Sequence, residues 1–443
     1  MLKGVENFFM LKVIDMLPGS GKTTNMCEWL SSLIKPNSDQ RFIFVTPYLK
    51  ETEKVSNRLL FNSLTPFQKE AFKTGLWELE EFGNELPSMP QEELKKCRDA
   101  MVALSRNKNV VWSHVLFLKL AYTKAFWKLI EKMNYILVID EEIPLKKDYV
   151  VQDFYISDME FFLLGGENPI VSVNENGRLS WNCKDKKASE GMFCQLKKDI
   201  DTGNLYYCNK WLSWQVPIEN FNLFDDVYLM TYRFEASLFS QVWNQEWEYY
   251  HFEGDELVPG KWKMPKELAE KIKRRLVIAE RNFPAVGIKG HYSYSAAWYK
   301  EATDEDFEKM IKKMQYYLKK GASGKRMDRS KVLWTCFKDY KERIEMLDAG
   351  RDHFRPLNEE SFVPLNMRAS NDYLNRNIVF YLVNRYMGSP FSRAGEDWAL
   401  SELLQLLFRT VLRLPDSEEP VYAWVPSDRM RELLIKWREE LGN

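Results

Sequence analysis

The chain has 443 residues, 45% of them hydrophobic and 29% charged, with a formal net charge of −1. These proportions are ordinary for a globular protein and give no sign of a disordered tail, while the length points to two or three domains. No apolar stretch approaches the roughly 20 residues of a membrane-spanning helix, and an N-terminus interrupted by Lys12 and Asp15 does not read as a signal peptide, so a cytoplasmic protein without membrane contact is expected.

In chain order, a buried strand is expected over residues 10–15, a Gly/Pro loop over 16–21 and a helix over 22–34. A second strand is expected at 41–45, a helix at 50–60, a helix at 92–105, a short strand at 109–112 and one long helix at 115–132. The run 135–139 is wholly apolar and ends in Asp140-Glu141-Glu142. Strands alternating with helices predict an α/β fold with parallel sheets flanked by helices, and unbroken apolar strands predict sheets buried on both faces. After Pro144 the pattern changes: 149–222 is rich in aromatic residues and turn signals, with Asn174-Glu175-Asn176-Gly177 between two β-runs as a hairpin signal. Further strands are expected at 227–230, 332–336, 378–382 and 421–425. The expected organisation is a first lobe at 1–250 holding an insertion at about 149–222, a mostly helical basic connector at 251–320, and a second lobe at 321–443.

The connector region carries Lys271, Lys273, Arg274, Arg275, Lys312, Lys313, Lys319 and Lys320, followed by Lys325 and Arg326. Because the chain as a whole is not basic, a nucleic-acid surface would have to localise its positive charge in such a stretch; solvated helix faces give the same pattern. Cys183, Cys194 and Cys208 lie closest together among the cysteines, but no C-x-x-C pair supports a metal site. The aromatic run 204–214, with Lys210 among its rings, could stack on unpaired bases at about 1–3 kcal/mol each, or simply cover a sheet edge.

Three patterns carry chemistry. Pro18-Gly19-Ser20-Gly21-Lys22-Thr23-Thr24, between a strand and a helix, is a phosphate-binding loop: glycines let backbone N–H groups approach an anion and the helix start adds its positive end. Lys22 is placed to reach the β- and γ-phosphates of ATP and Thr23 to ligate Mg²⁺. Met16 stands where such loops usually have their first glycine. Asp140, ending the apolar strand, is the expected second Mg²⁺ ligand, and Glu141 the expected general base for the attacking water. Gln405, Arg409 and Arg413 recur every four residues, predicting one helix face from which an arginine would stabilise charge developing in phosphoryl transfer; a surface stripe of an amphipathic helix is the plainer alternative.

These blocks resemble the superfamily 2 (DEAD/DEAH-like) helicases, most closely compact versions from bacteriophages. Residues 16–24 resemble motif I and Asp140-Glu141-Glu142-Ile143 resembles motif II, reading DEEI. Thr46-Pro47-Tyr48 is similar to motif Ia, Trp112-Ser113-His114 to the Ser/Thr-His block, residues 229–234 with Thr231 to motif III, and 333–340 to motif IV. Asn366-Met367-Arg368-Ala369-Ser370-Asn371 resembles motif V, and 405–413 motif VI, although Arg413 follows Arg409 by four residues where the family has three. Counted from Gln405, Arg409 is the better match to the family's finger. The resemblance implies two RecA-like P-loop NTPase lobes with ATP and Mg²⁺ in the cleft between them. It also implies nucleic-acid contacts or coupling at Thr46, Pro47, Ser113, His114, Thr231, Arg368 and Asn371, and a helicase or translocase acting on DNA ahead of RNA beside phage replication proteins. Oligomeric state is left open. A packaging-terminase ATPase motor, and an ATP-dependent switch or scaffold, are the rival expectations.

Overall fold

The computed structural model describes residues 10–33, 40–59, 90–149, 160, 164–165, 169–183, 193–208, 211–243, 245–279, 292–320, 326–349, 359–365, 372–386 and 395–442. The chain divides into two compact units: residues 1–14, 23–230 and 239–260 form the first, and residues 15–22, 231–238 and 261–443 the second.

The first unit contains β1 (Leu11–Asp15), α1 (Lys22–Leu33), β2 (Arg41–Thr46), α2 (Leu49–Leu59), α3 (Gln91–Ser105), β3 (Val110–Ser113), α4 (His114–Ala121), α5 (Lys124–Ile130) and β4 (Tyr135–Asp140). After these come β5 (Lys146–Asp148), β6 (Val171–Val173), β7 (Leu179–Trp181), α6 (Phe193–Asp201), β8 (Leu205–Cys208), β9 (Trp211–Gln215), β10 (Asp226–Thr231), β11 (Trp247–Glu253) and β12 (Glu256–Pro259). Its main sheet has the order β12-β11-β1-β10-β4-β2-β3. The pairs β1–β11, β10–β4, β4–β2 and β2–β3 are parallel, and β12 returns antiparallel to β11. Phe42, Ile43, Phe44 and Val45 of β2 are all fully buried, so both faces of the strand are covered, as an unbroken apolar run requires.

The long helix expected at 115–132 is two. The Thr123 hydroxyl donates to the Leu120 carbonyl at 2.8 Å and accepts from the Phe126 N–H at 3.3 Å, closing α4 and capping α5. A threonine hydroxyl that serves the backbone on both sides competes with a continuous helix. The aromatic insertion has its own small sheet, β5-β9-β8, beside the antiparallel hairpin β6–β7. Its core is Val171, Leu179, Leu196, Ile200, Leu205 and Leu212. Trp214 packs against Tyr122 and Tyr149, and Lys147 lies over the Tyr122 and Trp214 rings. In these rings the sheet-covering role is the observed one.

The second unit contains α7 (Lys266–Arg275), β13 (Leu276–Ile278), α8 (Ala296–Glu301), α9 (Asp304–Lys320), β14 (Val332–Thr335), α10 (Lys341–Ala349), β15 (Ile378–Tyr381), α11 (Gly395–Leu407), β16 (Val421–Trp424) and α12 (Asp428–Glu440). Four strands form a wholly parallel sheet in the order β13-β16-β15-β14. Alternate residues of β15 enter different cores. Val379 and Tyr381 join residues of α7, α11 and α12, while Ile378 and Phe380 join residues of α8, α9 and α10. The period of two along a strand thus puts helices on both faces, and the expected α/β class is what the structure shows.

Two expectations are corrected here. The segment 251–320 is not a separate connector: up to Gly260 it belongs to the first unit, and from Lys261 to the second, where β13 pairs with β16 and α9 fills the core. Nor does one helix carry Gln405, Arg409 and Arg413. α11 ends at Leu407, Thr410 is extended (φ −88°, ψ −174°), and Val411–Arg413 is a separate 3₁₀ turn. The Thr410 hydroxyl, donating to Leu407 O at 2.6 Å and accepting from Leu412 N at 3.3 Å, makes the break. Nor are the three an exposed stripe, because Arg409 is buried and Gln405 and Arg413 are half-buried, and a further helix, α12, follows α11.

Candidate nucleotide site

The loop after β1 is shaped by two glycines. Gly19 and Gly21 have φ of +87° and +85°, the left-handed region that residues with a Cβ occupy only at a cost. The Ser20 N–H donates to Leu17 O at 3.1 Å, tightening the turn. Met16 sits earlier, where the chain is still extended enough for its N–H to bond Thr231 O at 3.1 Å, and its side chain is buried. No left-handed conformation is needed at that position, which explains why a non-glycine residue is accepted there. Pro18 is half-buried, and Thr24 lies half-buried in the first turn of α1.

Lys22 is buried, and its ammonium donates to Met16 O at 2.6 Å and Leu17 O at 3.3 Å. A lysine charge removed from water needs such acceptors, and phosphate oxygens would serve the same ammonium. In the first unit the Thr23 hydroxyl donates to a carboxylate oxygen of Asp140 at 3.1 Å. The Ser20 hydroxyl is buried with no hydrogen-bond partner among the described residues. An unsatisfied hydroxyl on a loop with two left-handed glycines, ahead of a helix start, suits an anion. The Thr23 and Asp140 oxygens are the hard donors that Mg²⁺ prefers. Within the second unit the loop and Lys22 thus suit a phosphate, and within the first the Thr23 and Asp140 oxygens suit a hard divalent cation.

Within the second unit Arg413 stands against the loop: a Cβ added to Gly19 would lie 2.4 Å from Arg413 Cγ. Arg409 is buried, its N–H donating to Leu406 O at 3.1 Å, and its charge opposes the burial that raises the Tyr373 phenol above its ordinary value. Gln405 is half-buried on α11. Glu141 follows β4 in a left-handed conformation, φ +61°, with its N–H donating to Met230 O at 2.9 Å.

A family described as the YonV C-terminal Rossmann-like domain matches residues 270–438, a span inside the second unit. A curated relative, the SPbeta prophage-derived uncharacterized protein YonV of Bacillus subtilis (strain 168), is 27% identical over 455 residues, covering 97% of this chain and 98% of the relative. The chain is similar to a prophage protein over nearly its whole length. Among solved structures, the crystal structure of the DUF1998 helicase MrfA bound to DNA and AMPPNP aligns with a TM-score of 0.33 at 11% identity. That alignment covers 98% of this chain and 48% of the MrfA chain, so this chain spans about half the length of that protein.

Of the residues expected to touch or couple to nucleic acid, four bond the backbone. Ser113 caps α4 by accepting from Leu116 N at 3.3 Å. His114 is buried and its Nε2 lies 2.8 Å from the Asp140 carbonyl, so it braces the strand end that carries the proposed metal ligand. The Thr46 hydroxyl donates to Tyr48 O at 3.2 Å, and Pro47 is buried. Thr231 is buried and its carbonyl is the acceptor for Met16. Arg368 and Asn371, with the whole block 366–371, lie outside the described residues, as does Lys325. Among the described residues no three His, Cys, Asp or Glu side chains group as a metal site, and no helix is long and apolar enough to cross a membrane.

One residue that sequence reasoning passed over is central to the loop. The Asp15 carboxylate, at the end of β1, accepts from the N–H of Arg233 at 2.7 Å and of Phe234 at 3.0 Å. Burial raises its pKa above the ordinary 3.8, and those two N–H groups, with Lys22 and Lys261, pull the other way. Arg233 is left-handed (φ 60°) and its guanidinium reaches Asp397 of α11 at 2.5 Å. The signal in the sequence was an acid closing an apolar strand just before the glycine loop.

Proposed function

We propose that the chain is an ATP-hydrolysing motor that moves on nucleic acid, DNA ahead of RNA. The observation that supports this most is the Thr23–Asp140 hydrogen bond. It joins residues 117 positions apart and brings together, at 3.1 Å, the two oxygens that a P-loop enzyme uses for its metal. Residues 18–24 would hold the phosphates, and Mg²⁺ on Thr23 and Asp140 would draw charge from them. Lys22 would exchange the Met16 and Leu17 carbonyls for phosphate oxygens. Glu141 would take the proton of the attacking water. Arg413, rather than the better sequence match Arg409, is assigned to neutralise charge at the γ-phosphate, because it is the arginine packed on Gly19. Movement then follows from hydrolysis through the 231–238 segment, which Asp15 holds at the base of the same loop. The prophage origin of the full-length relative supports a phage setting, with phage replication proteins as partners. The test is ATP turnover by the full chain with and without single-stranded DNA, duplex DNA and RNA. Stimulation by one of them is expected, and ATP turnover that no nucleic acid alters would sink the motor assignment.

A further inference from the structure

Three basic residues of α7, Lys271, Arg274 and Arg275, end on a single loop. Arg275, the last residue of α7, is only 3% exposed. Its Nε donates to Glu419 O at 3.0 Å, its Nη1 to Leu414 O at 3.1 Å and Leu412 O at 3.4 Å, and its Nη2 to Val411 O at 2.6 Å. Beside it Lys271 donates to the Pro415 carbonyl and pairs with Glu418 at 2.9 Å, and Arg274 reaches the same carboxylate at 2.5 Å. All these acceptors lie on 411–419, the loop that begins with the 3₁₀ turn Val411–Arg413.

The chemistry of that loop requires a donor. Where a chain leaves a helix its carbonyls lack helical partners, and each one buried without a donor costs about 1–3 kcal/mol. A guanidinium supplies five N–H groups in a rigid plane, whereas an ammonium is one compact centre on a flexible stem. Four backbone carbonyls converging on one buried guanidinium fix where the 411–414 backbone runs, and Arg413 projects from it onto Gly19. Burial works against the charge and the neighbouring Arg274 guanidinium repels it, while Glu418 and Glu419 both support it.

We propose that Arg275 is the positioning residue for Arg413, holding the backbone from which that arginine reaches the phosphate loop. This rests on the assignment of Arg413 to the γ-phosphate. Lys271, Arg274 and Arg275 of α7 are then a loop clamp and not a nucleic-acid surface.

Arg275→Lys and Arg275→Met, made in the full chain, test it through ATP turnover per folded molecule, the half-saturating ATP concentration, and a double-mutant cycle with Arg413→Ala. Turnover is expected to fall roughly tenfold to a hundredfold in both, as a misplacement of about 1 Å costs, with half-saturation moved by less than about threefold. Lysine is not expected to rescue. The double variant Arg275→Lys/Arg413→Ala is expected to be no slower than Arg413→Ala alone, because both remove the same contribution. Should the Arg275 variants not fold, Lys271→Met loosens the same loop from its rim and is expected to show a smaller loss, again absent on the Arg413→Ala background. Normal turnover in the folded variants, or losses that multiply with Arg413→Ala, would overturn the proposal while a slow Arg413→Ala leaves the ATPase assignment standing. Turnover indifferent to Arg413→Ala overturns the assignment of Arg413 to the γ-phosphate and this proposal with it, while the ATPase assignment stands.

Discussion

Glu141 takes a φ of +61°, where a side chain costs about 1–2 kcal/mol relative to the right-handed region. A glycine there would relieve that strain, and in the proposed mechanism the carboxylate is what the glutamate supplies. Glu141→Gly is therefore expected to unfold within about 1 kcal/mol of the wild type, and Glu141→Gln likewise. Both are expected to lose ATP turnover by at least about a hundredfold while still binding a non-hydrolysable analogue. Urea unfolding and a binding titration separate the two effects, and a Glu141→Gln variant with normal turnover would remove the residue from the mechanism. Asp15 makes a second prediction at this scale. Burial raises its pKa above 3.8 in the folded chain, so the folded state binds the proton more tightly than the unfolded one. The stabilisation that results is complete below the ordinary value and is lost as pH rises through the folded value. Asp15→Asn lacks that titration, and its stability relative to wild type is expected to rise across this window and then level off. Unfolding free energies measured across a series of pH values check this, and a flat difference would mean the carboxylate is not so perturbed. Lys22, Thr23 and Asp140 were legible from the sequence because glycine spacing and a strand-ending acid are local signals. Asp15 and Arg275 were not, since each acts through backbone atoms far along the chain.

At the scale of elements, the strands were readable because an apolar run of four to six residues has few alternatives to a buried parallel strand. Helix ends were harder to read. At Thr123 and at Thr410 the hydroxyl serves backbone groups on both sides, and the four-residue recurrence of Gln405, Arg409 and Arg413 continued past the second break as if it were absent. Periodicity records spacing, while a single side-chain bond decides whether the spacing is realised as a helix. Thr410→Val keeps the buried volume and removes both bonds, so it is expected to cost about 1–2 kcal/mol in urea unfolding. It is also expected to lower ATP turnover of the folded fraction, because Arg413 follows directly. A variant as stable as wild type would show that the turn is set by packing alone. The connector assignment failed for a related reason: β13 is a three-residue strand whose pairing with β16 depends on a partner some 140 residues later.

For the whole molecule, the contacts at the phosphate loop form a chain inside the second unit. Asp15 holds Arg233 and Phe234, Arg233 holds Asp397, Tyr232 accepts from Trp437, and Arg413 rests on Gly19. If a nucleotide binds this loop as proposed, it is expected to stabilise more than the loop alone. A magnesium-bound, non-hydrolysable ATP analogue at about 100 times its Kd is expected to add about 2.7 kcal/mol to wild-type stability and nothing to Lys22→Ala; an equal rise in melting temperature for both would place the nucleotide elsewhere. The most direct measurement is the rate of ATP hydrolysis by the full chain, alone and with single-stranded DNA, duplex DNA or RNA, beside Lys22→Ala. Hydrolysis that at least one nucleic acid accelerates and Lys22→Ala abolishes is the predicted result; hydrolysis absent throughout, unchanged by every nucleic acid, or unaffected by Lys22→Ala would contradict it.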